Sequence, residues 1–168
     1  MSHSVYLFRH IQTNQVIVSM RQWTQNRSLR QLDTVLRPPR LRKDHWRPLV
    51  AITGFNTLQS AQAVSDALLQ RSQVRQLEFK TSPEHLARPK RMRTVDEKDL
   101  VEKSVVSLRE ALESVAPKHF NGETKLSALW EQPRFLEMKG DDHEWPAFLE
   151  HGQLELKNNR FVSANSSA

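Results

Sequence analysis

The chain has no cysteine among its 168 residues, which excludes disulfides, thiolate nucleophiles and thiolate-bound zinc. It has only four glycines, Gly54, Gly122, Gly140 and Gly152, too few and too scattered for a phosphate-cradling loop. Neither a Walker A string nor a GxGxxG occurs, which argues against ATP- or dinucleotide-driven chemistry. No GxSxG elbow presents a nucleophilic serine. No apolar run approaches the roughly 18 residues needed to cross a membrane. Residues 1–9 lack the basic start and apolar stretch of a secretory signal, and Arg9 is their one Lys or Arg. They read as a strand rather than a mitochondrial presequence, so the sequence does not announce import.

What the chain does have is positive charge, unevenly spread. Formal net charge is +6 and the pI is near 10.0. Residues 1–95 hold 16 Lys/Arg against 5 Asp/Glu, a net of +11; residues 96–168 hold 9 against 14, a net of −5. Neutralisation of phosphates by Lys and Arg supplies most non-specific nucleic-acid affinity, so the first half is the expected contact surface. A basic surface that only confers solubility is the plainer alternative. With 38% hydrophobic residues and a mean hydropathy of −0.64, one domain with a lean core is expected.

Residues 4–11 and 15–20 are rich in β-branched and aromatic side chains, with Gln12-Thr13-Asn14 between them, and predict a β-hairpin. Val5, Leu7 and Ile11 share one face, and Tyr6, Phe8 and His10 the other, so the hairpin should pack on both sides. Leu29, Leu32 and Leu36 suggest a short helix over 26–36, ended by Pro38-Pro39. Residues 49–53 read as a buried strand closed by Gly54. Asn56 with Gln59 resembles a capping box opening a helix to about Arg71. Residues 74–80 fit either a strand or a continuation of that helix. Pro83 and Pro89 bracket a second basic loop. Thr94 to Glu97 reads as a capping box before a helix over 95–115, where Val101, Val105, Leu108, Leu112 and Val115 repeat at 4-3-4-3 and Pro117 marks the end.

From Lys118 the pattern fades. The expectation is an α+β domain over 1–117, with a hairpin and one further strand against two or three helices. An extended tail over 118–168 follows, its Trp130 and Trp145 docking on a neighbouring protein and its end disordered.

Several groups could carry chemistry. Asp141, Asp142, His143 and Glu144 have metal-binding side chains, as in a Mg²⁺-dependent nuclease, but consecutive residues cannot all face one ion, and a solvated acidic turn is the better reading. His10, His45, His85 and His119 show no ligand spacing. Neither a metal, a cofactor nor a catalytic residue is expected. The basic residues are more informative. Of nine up to Arg47, eight are Arg, whose rigid fork suits phosphate and whose plane can stack on a base. The candidate nucleic-acid-binding set is Arg21, Arg27, Arg30, Arg37, Arg40, Arg42, Lys43, Trp46, Arg47, Arg88, Lys90, Arg91 and Arg93. Trp23 lies among the first three. For Trp46, beside a buried strand, core packing is the strong alternative.

The segments VYLFRHIQTNQVIVS, LRKDHWRPLVAI, SLREALESV, LWEQPR and HEW, in that order across about residues 5–148, resemble a fungal mitochondrial protein family. Its members are large-subunit mitochondrial ribosomal proteins, and a yeast member is also a mitochondrial homologous recombination and transcription-regulating protein. The N-terminal lead is shorter than expected of the family, and the extreme C-terminus matches nothing in it. The resemblance implies an rRNA-bound structural protein of the matrix, with ribosomal proteins as neighbours. More weakly, it implies mitochondrial DNA as a partner, through ATP-independent strand pairing. It carries over no catalytic residue.

Overall fold

The computed structural model describes residues 3–140, 143–154, 156–157 and 160–161. Its centre is a five-stranded sheet in the order β2-β1-β3-β4-β5. β1 (His3–His10) and β2 (Val16–Ser19) form the expected hairpin, with Asn14 in the left-handed region at φ 62° in its turn. β3 (Trp46–Phe55) pairs antiparallel with β1 and with β4 (Leu126–Trp130). β5 (Leu149–Gln153) lies parallel to β4 at the far edge. Two short strands, β6 (Leu156–Lys157) and β7 (Arg160–Phe161), pair separately.

Both faces of the sheet are covered, as the hairpin's alternation predicts. Val5, Leu7, Val50 and Ile52 face helices α1 (Leu58–Thr81) and α4 (Val101–His119). Tyr6, Phe8, Trp46 and Ala51 form a second cluster with Leu29, Leu32 and Leu154. Ile11 departs from the hairpin pattern, lying exposed in the turn.

Pro48 explains why Trp46 joins the second cluster. A proline has no N–H for the ladder and is tolerated within sheets chiefly at edges and bulges. Leu7 pairs with Val50 but Phe8 with Pro48, so β3 carries one extra residue there. The shift reverses the alternation. Trp46, an even number of residues from Val50 and Ile52, lands on the opposite face from them, ring to ring with His10 at 5.1 Å. β2 is an edge strand, and Gln31 closes it. Its side chain accepts from the Val18 N–H and donates to the Val18 carbonyl, both at 2.7 Å, in place of a neighbouring strand.

The helices correct several expectations. Thr57, not Asn56, caps α1, its Oγ1 accepting from the Ser60 N–H at 3.1 Å. α1 continues to Thr81 rather than Arg71, so residues 74–80 are helix. Buried Ala61, Val64 and Leu68 seat its first half, while Val74 and Leu77 on its second half are exposed. The 26–36 segment is a 3-10 helix over Asn26–Gln31 followed by a turn. The second basic loop is mostly helical, as α2 (Pro83–Leu86) and α3 (Lys90–Lys98). Thr94 is no cap; it sits inside α3, where its Oγ1 donates to the Lys90 carbonyl at 3.1 Å. α4 begins at Val101 and includes Pro117 in its final turns. All five residues of its 4-3-4-3 repeat are buried.

The largest correction concerns residues after 117. Trp130 is 2% exposed and belongs to a strand inside the sheet; Phe135, in α5 (Pro133–Leu136), is buried beneath it. Trp145 packs on Trp130 at 5.4 Å and donates its indole N–H to the Leu136 carbonyl at 3.1 Å. These rings complete the chain's own core rather than wait for a neighbour. The disorder expected at the C-terminal end concerns positions outside the described residues.

Arg9 and Arg47 stand directly opposite each other across β1 and β3. Like charges so placed repel, and Glu131, with its side chain 5% exposed, resolves the conflict. Its two oxygens take Arg9 at 3.0 Å and Arg47 at 3.4 Å. Removing the carboxylate as Glu131→Gln leaves a buried arginine without its counter-charge, and should destabilise the fold by about 3–5 kcal/mol. Urea unfolding measures this, and a loss below about 1 kcal/mol would refute the role assigned to Glu131.

Two histidines give stability a pH dependence. His10 Nδ1 accepts the backbone N–H groups of Gln12 and Thr13 at 3.1 and 3.2 Å. Burial first, then His45 and Lys98, hold its pKa below the usual histidine value. Burial and Lys139 act likewise on His151, whose Nδ1 accepts the Trp130 indole N–H at 3.0 Å. The unfolded chain then binds these protons more readily, so stability is full above about pH 6.5 and declines as pH falls below it. The urea midpoint should drop from about pH 7.5 to about pH 5.5. His10→Asn should remove part of that drop; an equal drop in the variant would contradict the assignment.

Candidate nucleic-acid interface

The thirteen candidate residues separate into a displayed group, a withdrawn group and an arm. The displayed group lies on residues 20–45, between β2 and β3. Seven basic residues stand there against two acidic ones, Asp33 and Asp44, a net of +5. Residues 1–32 contain no acidic side chain at all. Arg21, Arg27 and Arg30 are exposed, as are Arg40, Arg42 and Lys43. Arg42 bonds Asp44 at 3.0 Å on the open surface, a pairing that water and salt weaken. Arg27 Nε donates to Gln25 at 2.7 Å. Arg21, Arg30, Arg40 and Lys43 make no ion pair among the described residues.

This segment is held in place rather than loose. Leu29 and Leu32 are buried in the second cluster, and Leu41 packs against it. The Leu41 N–H donates to Asn26 Oδ1 at 3.3 Å, joining the 37–42 stretch to the start of the 3-10 helix. Gln15 Nε2 donates to the Leu36 carbonyl at 3.0 Å. Farther on, α1 takes hold through Gln76 on the Gln31 carbonyl at 2.8 Å and Lys80 beside Asp33 at 3.5 Å.

Three candidates are withdrawn from this surface. Trp46 is 4% exposed and edge-on to His10, so core packing, not base stacking, is its place. Arg47 is committed to Glu131. Arg37 donates to the Leu32 and Arg30 carbonyls at 2.9 and 3.3 Å, which closes the turn beneath it.

The remaining candidates sit on the arm formed by α2 and α3. Arg88, Lys90 and Arg91 are exposed and Arg93 half-buried. Residues 83–99 also hold Glu84, Asp96, Glu97 and Asp99 against five basic side chains, so the arm is nearly neutral. Arg88 pairs with Asp96 at 3.1 Å, and His85 with Glu97 at 2.8 Å. A polyanion therefore gains far less here than along residues 20–45.

Sequence reading passed over the groove between the second half of α1 and α4. Arg71, Arg75 and Lys103 line it with Glu78, Glu102 and Glu110, around a volume of about 910 Å³. Burial lowers the pKa of Arg75 and of Lys103, whose ammonium lies 4.0 Å from the Phe79 ring centre. The helical spacing of Arg71 and Arg75 was the available signal, but only with α1 read through to residue 81. Among the described residues no group of three or more His, Asp and Glu could hold a metal. Asp141 and Asp142 of the weighed acidic motif lie outside the described residues.

The class defined by this architecture is a small α+β protein with a rigidly mounted basic segment. Residues 2–82, which carry the hairpin, that segment, β3 and α1, match the model of the family Mhr1, described as "Transcriptional regulation of mitochondrial recombination". The chain is also 44% identical over 57 residues to "Large ribosomal subunit protein mL67" of Schizosaccharomyces pombe. That alignment spans 29% of this chain and 33% of the relative, so the chain covers about a third of the length of the curated protein it matches. The chain is thus similar to the Mhr1 family over residues 2–82, and over a shorter stretch to a large-subunit ribosomal protein.

Cations of the basic segment and of the nearly neutral arm should differ in salt dependence. Arg40→Ala and Lys43→Ala should each weaken RNA binding and lower the slope of log K against log salt by about 1. Lys90→Ala and Arg91→Ala should change it much less. Fluorescence anisotropy between about 50 and 200 mM salt reads the slopes. Equal reductions from both groups would show that the arm contributes as much as residues 20–45.

Proposed function

We propose that the chain is a structural, rRNA-bound component of the mitochondrial large ribosomal subunit, and not an enzyme. The observation that carries this reading is the 20–45 segment, with a net charge of +5 on a surface anchored by buried leucines. Six exposed basic residues there can neutralise backbone phosphates, the interaction that fixes a protein's register on RNA without reading its sequence. The likeness to a large-subunit ribosomal protein names the setting, and the family's description names the organelle. In this reading rRNA backbone lies along Arg21, Arg27, Arg30, Arg40, Arg42 and Lys43, and ribosomal proteins border the more acidic second half. The protein works in the matrix, as part of the ribosome. No helix of the described residues is long and apolar enough to cross a membrane.

A second reading, binding of mitochondrial DNA in recombination or transcription, is favoured by the family description. Phosphate contacts serve either polyanion, so location decides between them. On a sucrose gradient of mitochondrial lysate the protein should migrate with the large subunit and stay there at moderately high salt. Migration with nucleoids would put the DNA reading first. The triple reversal Arg40→Glu, Arg42→Glu and Lys43→Glu should leave the protein folded but absent from the subunit. Normal incorporation of that variant would remove these residues from the interface.

A further inference from the structure

Trp23 differs from the other three tryptophans. Trp46 and Trp130 are buried, and Trp145 packs against the core beside Trp130. Trp23 is 50% exposed and belongs to neither apolar cluster. Its backbone is nevertheless held. Ser19 Oγ accepts from the Arg21 N–H at 3.0 Å and donates to the Trp23 carbonyl at 3.5 Å, which pins the bend following β2. The next residue, Thr24, is buried. The Arg21 guanidinium lies over the indole, 5.6 Å from the ring centre.

A large apolar ring displayed on an ordered bend has a cost in water that a partner would remove. The charge around it restricts the partner. Arg21, Arg27 and Arg30 are exposed, and no acidic residue precedes Asp33 in the chain. An apolar protein surface would gain nothing from this concentration of cations. A nucleotide uses both features, because its base has a π-face for the indole and its phosphate meets the arginines. A base inside a duplex is stacked on its neighbours, so the base that reaches Trp23 must be unpaired.

We propose that Trp23, with Arg21 covering one face of its ring, is a stacking platform for an unpaired nucleobase of a single-stranded RNA segment. Arg27 and Arg30 hold the flanking phosphates. The inference rests on the RNA-binding reading above and adds to it a preference for loops or single strands over continuous duplex.

The test uses the full chain labelled with 5-fluorotryptophan, whose four tryptophans give four ¹⁹F resonances. Loss of one in Trp23→Phe identifies that of Trp23. The probes are an unstructured RNA of about 12 nucleotides and a perfect duplex of the same composition. With the single strand, the Trp23 resonance should shift and the other three stay in place. Trp23→Ala should weaken single-strand binding by about 5- to 100-fold, Trp23→Phe should retain most of it, and duplex affinity should change by less than about twofold. If Trp23→Ala binds the single strand as tightly as the parent while salt-dependent binding persists, the platform is refuted and RNA binding stands. If neither RNA binds, both readings fall. A Trp23 resonance that moves with isolated large-subunit proteins but not with RNA would overturn the inference in favour of a protein contact.

Discussion

Pro48 occupies the middle strand of the sheet, where a residue with no N–H interrupts the ladder to β1. The chain accommodates it with one extra residue in β3, and that residue sets the geometry of both faces. Without the shift, Trp46 would share a face with Val50 and Ile52 beneath the helices. With it, Trp46 joins Tyr6, Phe8 and Ala51 on the opposite face and forms the seat on which Leu29 and Leu32 rest. The basic segment is thus mounted on a cluster that owes its Trp46 to a bulge. The same shift puts Arg47 opposite Arg9 on the helix face, and so creates the need for Glu131.

Much of this was legible locally. The hairpin was announced by two β-rich runs around an Asn able to take the left-handed turn, and its alternation correctly implied two buried faces. The 4-3-4-3 repeat of α4 needed no tertiary information. Where expectation failed, the deciding partner was distant or a local signal had two meanings. β4 holds its place through pairing with β3, some 75 residues earlier in sequence. β5, with its sequence LEHGQ and one buried side chain, has almost no strand pattern of its own. Thr94 to Glu97 has the composition of a cap, yet a threonine hydroxyl can bond a carbonyl four residues back within a helix just as well.

The candidate interface was legible as a charge excess but not residue by residue. Counting placed Arg47 with Arg40 and Arg42, because nothing near it in sequence reveals that its partner is Glu131, 84 residues later. The acidic second half is therefore not simply a region that avoids polyanion. One of its carboxylates, Glu131, pairs with the buried Arg9 and the partly exposed Arg47, which leaves the arginines of residues 20–45 as the net positive surface. Arg88, Lys90, Arg91 and Arg93 show the converse. They look like a basic loop in isolation, but α3 runs on through Asp96 and Glu97 to Asp99, which cancel most of their field. Accessible, unpaired charge is the quantity that matters to a polyanion, and only the fold defines it.

How the segment is mounted bears on how tightly it can bind. A flexible basic tail must lose backbone freedom when it settles on phosphate, and that loss is subtracted from every contact it makes. Residues 20–45 have already lost it. Leu29, Leu32 and Leu41 are fixed against the sheet, Gln31 is locked to β2, and Arg37 ties the turn to itself through two carbonyls. Two of the arginines singled out by charge alone, Arg37 and Arg47, thus belong to the fold rather than to the displayed surface. Arg37 helps to hold a surface whose remaining cations would need to order only their own side chains against a phosphate.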